Sequence, residues 1–163
     1  MKEKAFWSSI IGFFVVGLLG TVFHFVYELT GDNAIVGLFV PISESVWEHL
    51  KLLYFPYLLY CMAEWAVYGR HIGGFLFSRW AGVLCGLISI PVLFLIYTSI
   101  TGKPIVCIDI LIFFISVALS FWVSLKRILT NKDQHRKNSI GMILLFMPAA
   151  VFAIVTLYSY GAI

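Results

Sequence analysis

The sequence predicts an all-α integral membrane protein: one transmembrane domain over residues 1–163, built as a bundle of five transmembrane helices. Three observations carry this expectation. Hydrophobic residues make up 61% of the chain, charged residues only 12%, and the mean hydropathy is +0.99, whereas an ordinary soluble domain carries about 25% charged residues. Five stretches reach the roughly 20 apolar residues that a helix needs to cross the hydrocarbon core. These runs also lack the in–out alternation of a membrane barrel, and an unpaired strand in lipid would leave its backbone polar groups unsatisfied. The same composition excludes a disordered chain, a coiled coil, a nucleic-acid-binding domain and a disulfide-stapled secreted module.

The first helix is expected over 6–28. Lys2 and Lys4 ahead of it imitate a signal peptide, but the apolar run is too long and no small-x-small cleavage site follows, so the segment is expected to stay as the first span. Gly31 with Asp32 and Asn33 forms the turn after it. Residues 34–42 read Ala-Ile-Val-Gly-Leu-Phe-Val-Pro-Ile. This run is too short to span and too apolar for a solvated loop, so a re-entrant or interfacial segment covering the polar residues is expected. The second helix, 45–68, has Ser43 as a good N-cap and a capping box in Ser45 and Glu48. The third, 77–99, ends before Gly102; the fourth, 105–125, opens after Pro104; the fifth covers 139–160. Pro56, Pro91 and Pro148 fall inside helices two, three and five and should bend them.

Orientation follows from Lys and Arg. With a cytoplasmic N-terminus, Lys2, Lys4, Arg70, Arg79, Lys126, Arg127, Lys132, Arg136 and Lys137 lie inside, against Lys51 and Lys103 outside. The positive-inside rule then predicts a multi-pass protein of the cell membrane with an extracellular C-terminus. The basic loop 126–137 reads as a topology anchor, and no nucleic-acid partner is expected. Cys61, Cys85 and Cys107 stand singly on three helices and read as packing residues. Gly82 and Gly86 form a GxxxG, and Ser116, Ser120 and Ser124 line one face of helix four; both point to close helix packing and to a homodimer seam.

Ionisable residues inside a span cost about 2.5–3.5 kcal/mol on insertion scales, so each needs a reason. His24 and Glu28 are four apart, on one face of helix one. Glu44, Glu48 and Lys51 follow i, i+4, i+7 along helix two, with His49 about 100° from Glu48. Asp109 sits on helix four at a similar depth. Helix capping accounts for Glu44 and Glu48 near a helix start, and salt bridges between helices account for the others as glue. Capping leaves His24, His49, Lys51 and Asp109 unexplained, and Glu28 in a last turn opposes the helix dipole. Glu64 is expected to snorkel towards Arg70 or His71.

Imidazole with carboxylate suits Zn, Mn or Fe. The expected ligand set is His24, Glu28, Glu44, Glu48, His49 and Asp109, with Glu48 as central ligand or base, His49 beside it and Lys51 as charge partner in catalysis. The function this implies is an outward-facing divalent-metal site serving hydrolytic or transfer chemistry on a membrane-associated substrate, a lipid or lipid-linked molecule. The same carboxylates also fit a proton- or cation-coupled transporter or channel, and a third reading is an accessory membrane subunit.

His24-Phe-Val-Tyr-Glu28, the run from Pro41 through Ser-Glu-Ser-Val-Trp-Glu-His-Leu-Lys51, and Phe55-Pro-Tyr57 together resemble an uncharacterised family of small multi-pass membrane proteins of Gram-positive bacteria. The likeness is densest over 24–60 and implies where a site lies, without implying an activity. Glu48-His49-Leu50-Lys51 is also similar in part to glutamate-dependent membrane proteases, but holds one of their two adjacent glutamates.

Overall fold

A computed structural model describes residues 2–130 and 136–160. Its elements are α1 (Lys2–Leu29), α2 (Ala34–Gly37), α3 (Val46–Val67), a 3-10 turn (Gly69–His71), α4 (Phe75–Thr101), α5 (Val106–Thr130) and α6 (Arg136–Ser159), with no strand among the described residues. A long helix thus occupies each of the five expected stretches. Four have the length and hydropathy to cross a membrane: Lys2–Leu29, Phe75–Thr101, Val106–Thr130 and Asn138–Ser159.

The exception, α3, differs for a reason visible in its packing. It carries Glu48, Lys51 and Glu64, and twelve of its 22 residues are buried. Helices α6, α4, α5 and α1 neighbour one another in that order, and α3 touches all four. A helix enclosed by others need not present apolar side chains to lipid, so it can turn several charged side chains inward against its neighbours.

Local signals set the boundaries. Gly31, Gly74 and Gly102 adopt φ of 66°, 70° and 72°, left-handed values that glycine reaches without a Cβ penalty; the last two flank α4. The N-cap of α3 is Ser45, as the capping box with Glu48 implies, and not Ser43: its backbone is extended and its hydroxyl accepts from Glu48 N at 3.2 Å. The chain just before α3 is therefore not helical, which decides where Glu44 goes.

Pro148 removes an N–H from the middle of α6. Beside it, the Tyr54 hydroxyl of α3 donates to Leu145 O (2.5 Å) and accepts from Ala149 N (3.2 Å), the two groups an unbroken helix would join. A side chain inserted into the ladder in this way is a recognised means of bending a helix, and here it also fastens α6 to α3. Gly82 and Gly86 are buried against α5, where an added Cβ would overlap Ser120 and Ser124. The small-residue seam is thus occupied by packing within one chain.

Candidate metal centre

The antiparallel helices bring the end of α1, the start of α3, the end of α4 and the start of α5 to one end of the bundle, called the upper end below. Two separate groups of ionisable residues lie there.

His24, near the end of α1, and His49, in the first turn of α3, are both half-buried, and their rings stand 5.3 Å apart. Glu44 reaches in from the non-helical residues before Ser45. Its carboxylate oxygens lie 3.9 Å from His24 Nε2 and 3.4 Å from His49 Nε2, and the three residues each offer a ligand atom within 4.8 Å of the others. Glu44 is 84% exposed, so it approaches the two half-buried rings from the solvent side. The Nδ1 of His49 lies 2.9 Å from Ser45 O. A carbonyl only accepts, so Nδ1 carries the hydrogen, and in the neutral ring Nε2 presents its lone pair to the cluster. A backbone carbonyl holding the far nitrogen in this manner is the usual support of a metal-ligating histidine.

The cluster borders two adjoining cavities, of about 300 and 490 Å³, which share Glu44, His49, Leu52, Val106, Asp109 and Phe113 in their walls. Asp109 therefore faces the same space, and its Oδ1 accepts from the Tyr97 hydroxyl at 2.5 Å.

The second group is buried. Lys51 Nζ lies 2.7 Å from Glu48 Oε2, and donates also to Thr156 Oγ1 (2.7 Å), Gly37 O (2.8 Å) and Val40 O (3.4 Å). Glu48 Oε2 accepts from Ile42 N at 3.0 Å. The pair ties segment 34–42 to α3 and α6. This apolar segment covers Lys51 and not the histidines: none of its residues lines either cavity.

Of the sequence-derived ligand set, then, His24, Glu44 and His49 converge, and Asp109 lines the same cavities. Glu48 and Lys51 are engaged with each other on another side of α3. Glu28, one turn above His24, is exposed and outside the cluster. The stripe of Glu44, Glu48 and Lys51 does not form because Glu44 precedes the N-cap and escapes the helical period. Thr156 was not legible as a partner because it lies 105 residues along the chain from Lys51, whereas Tyr97 is only 12 residues from Asp109, across the α4–α5 turn.

A further buried pair lies near the lower end. Glu64 meets Arg79 at 2.5 Å, not Arg70 or His71, which are exposed. Arg79 is fully buried. It donates to Ser124 (2.7 Å) and Ser9 (3.3 Å), and its guanidinium lies over the Phe75 and Phe121 rings. Glu64 also accepts from the Ser8 and Tyr68 hydroxyls. The available signal was an arginine inside an apolar stretch, which asks for a buried acid.

The model described as "Family of unknown function (DUF6512)" matches residues 1–161. The chain belongs to this family. No curated protein and no solved structure matches it. The match extends over the whole bundle, well past the region 24–60 where the resemblance is densest.

Proposed function

We propose that the protein is a cell-membrane protein of five spans, α3 included, with a cytoplasmic N-terminus and, on its outer side, a divalent-metal site formed by His24, Glu44 and His49. The site serves hydrolytic or transfer chemistry on a membrane-associated substrate. The observation that carries this reading is the meeting of two imidazoles and one carboxylate at the junction of two cavities, with His49 Nε2 left to a ligand by the Nδ1 bond to Ser45. Such a donor set suits Zn, Mn or Fe, and three protein ligands leave a position for water or substrate.

A bound divalent ion supplies Lewis acidity and lowers the pKa of a coordinated water. Asp109, which accepts from the Tyr97 hydroxyl and lines the same cavities, would serve as the general base, taking the proton of a water as its oxygen adds to an ester carbonyl or phosphorus. The proton then passes to the departing alkoxide as the ester bond breaks, so the sum is hydrolysis. With another alcohol in place of water, the same sequence gives transfer. Glu48 and Lys51 support the neighbouring segment in this scheme and do not ligate.

Elemental analysis of detergent-purified protein tests the reading. The wild type should carry close to one Zn, Mn or Fe per chain, and a His24→Ala/His49→Ala variant none. Acidification should release the ion, because protons compete for the imidazole nitrogens. A wild type that stays metal-free after supplementation without chelators overturns the assignment and favours an accessory subunit.

Proton- or cation-coupled transport is the second reading. The buried Glu64–Arg79 network favours it by adding ionisable groups to the lower half of the bundle. Ion flux in proteoliposomes made from metal-free protein would be its mark.

A further inference from the structure

We infer that the substrate of this site is a two-chain amphiphile, a diacyl glycerolipid, whose head lies at the His24–Glu44–His49 cluster and whose acyl chains run one into each cavity. The chemistry rests on the metal reading above; the binding mode does not.

The two cavities share a wall that holds three polar side chains beside Leu52, Val106 and Phe113, and from it they part in apolar directions. Glu44, His49 and Asp109 belong to both. Beyond them, the smaller cavity continues along Ile90, Phe94 and Ile112, between α3, α4 and α5. The larger continues along Gly20 and Phe114, between α1 and α5. Both arms descend from the upper end. Gly20 lies one turn, about 6 Å, below His24, and Ile90 lies seven residues, about 10 Å, below Tyr97. A polar group near the bundle end with two apolar arms directed towards its middle matches how a diacyl lipid sits in a leaflet.

The rim faces lipid. Val106 and Phe25 are 72% and 54% exposed on helices long and apolar enough to cross a membrane, so a lipid can enter sideways between α1 and α5. Other substrate classes fit less well. A peptide would bring backbone N–H and C=O groups that need partners, and the Ile and Phe walls of the arms provide none. A single-chain lipid would leave one arm without apolar contact and forgo that burial.

The test measures binding of dioleoyl phosphatidylglycerol and of its single-chain lyso form to the purified full chain, by native mass spectrometry, with metal content determined on the same samples. The diacyl form should bind roughly tenfold more tightly or better, from the additional chain buried. Thr21→Trp should block the α1–α5 arm and Ile90→Trp the other, each removing the preference while leaving metal content unchanged. Ile90 is buried, so if Ile90→Trp does not fold, Thr21→Trp, at an exposed wall position, decides alone. Equal binding of the two lipids by the wild type, or a preference that survives in every folded arm-blocked variant, overturns the inference. Metal without diacyl preference removes the two-arm seat and leaves the metal reading standing. Diacyl preference without metal does the reverse.

Discussion

At the scale of single residues, Lys51 explains most about the upper end. It is wholly buried, and its ammonium has three N–H groups for four oxygen neighbours: the Glu48 carboxylate, the Thr156 hydroxyl and two carbonyls of segment 34–42. Two buried charges repay their desolvation only when so fully partnered, and removing one strands the other. Lys51→Met is therefore expected to lower stability by about 3–5 kcal/mol by leaving the Glu48 carboxylate buried and uncompensated. Lys51→Met/Glu48→Leu should recover much of that loss, since an apolar replacement of both partners leaves no charge behind. Denaturant unfolding in detergent checks both, and a Lys51→Met protein as stable as wild type would place the ammonium outside the scaffold. The residue types needed for the site were legible in the sequence, but their grouping was not. Helical periodicity allies Glu44 with Glu48, whereas the Ser45 cap and the reversal of residues 37–42 send the first to the histidines and the second to Lys51.

At the scale of elements, the seam between α4 and α5 is the closest approach of two helices that the sequence announces. Gly82 and Gly86 remove side chains where Ser116, Ser120 and Ser124 stand opposite, and a Cβ at Gly82 would meet the Ser120 carbonyl, a backbone group with little freedom to move. Gly82→Val is accordingly expected to cost about 1–3 kcal/mol by overpacking without altering the oligomeric state, read by unfolding together with light scattering after size exclusion. If it instead dissociated a dimer at unchanged stability, the seam would belong between chains. The positions of the long helices were legible because length and hydropathy are properties of the chain taken one stretch at a time. Partner choice is not such a property: the same GxxxG serves a neighbour helix or a second copy, and the Tyr54 hydroxyl bridging the α6 ladder at Pro148 depends on two residues 91 and 95 positions away.

At the scale of the whole molecule, α3 unites the fold and the proposed function. It holds Glu48–Lys51 near one end and Glu64–Arg79 near the other, and for that reason falls short of the hydropathy of its four neighbours. Burial also alters the orientation count. Lys51 and Arg79 are buried inside the bundle, and without them nine basic residues against two become eight against one, which leaves the asymmetry with the same sign. Whether α3 crosses, and which way, can be decided at its two flanks, Ser43 and Arg70, both exposed. In a background with Cys61, Cys85 and Cys107 changed to alanine, Ser43→Cys should react with a membrane-impermeant maleimide on intact cells, and Arg70→Cys only after lysis. Reaction of both, or of neither, from outside would mean that α3 does not cross and that the chain has four spans. The reversed pattern would keep five spans but turn the His24–Glu44–His49 cluster to the cytoplasm, where the lipid that meets it comes from the inner leaflet. Only the expected pattern joins a crossing α3 to a site that draws its substrate from the outer one.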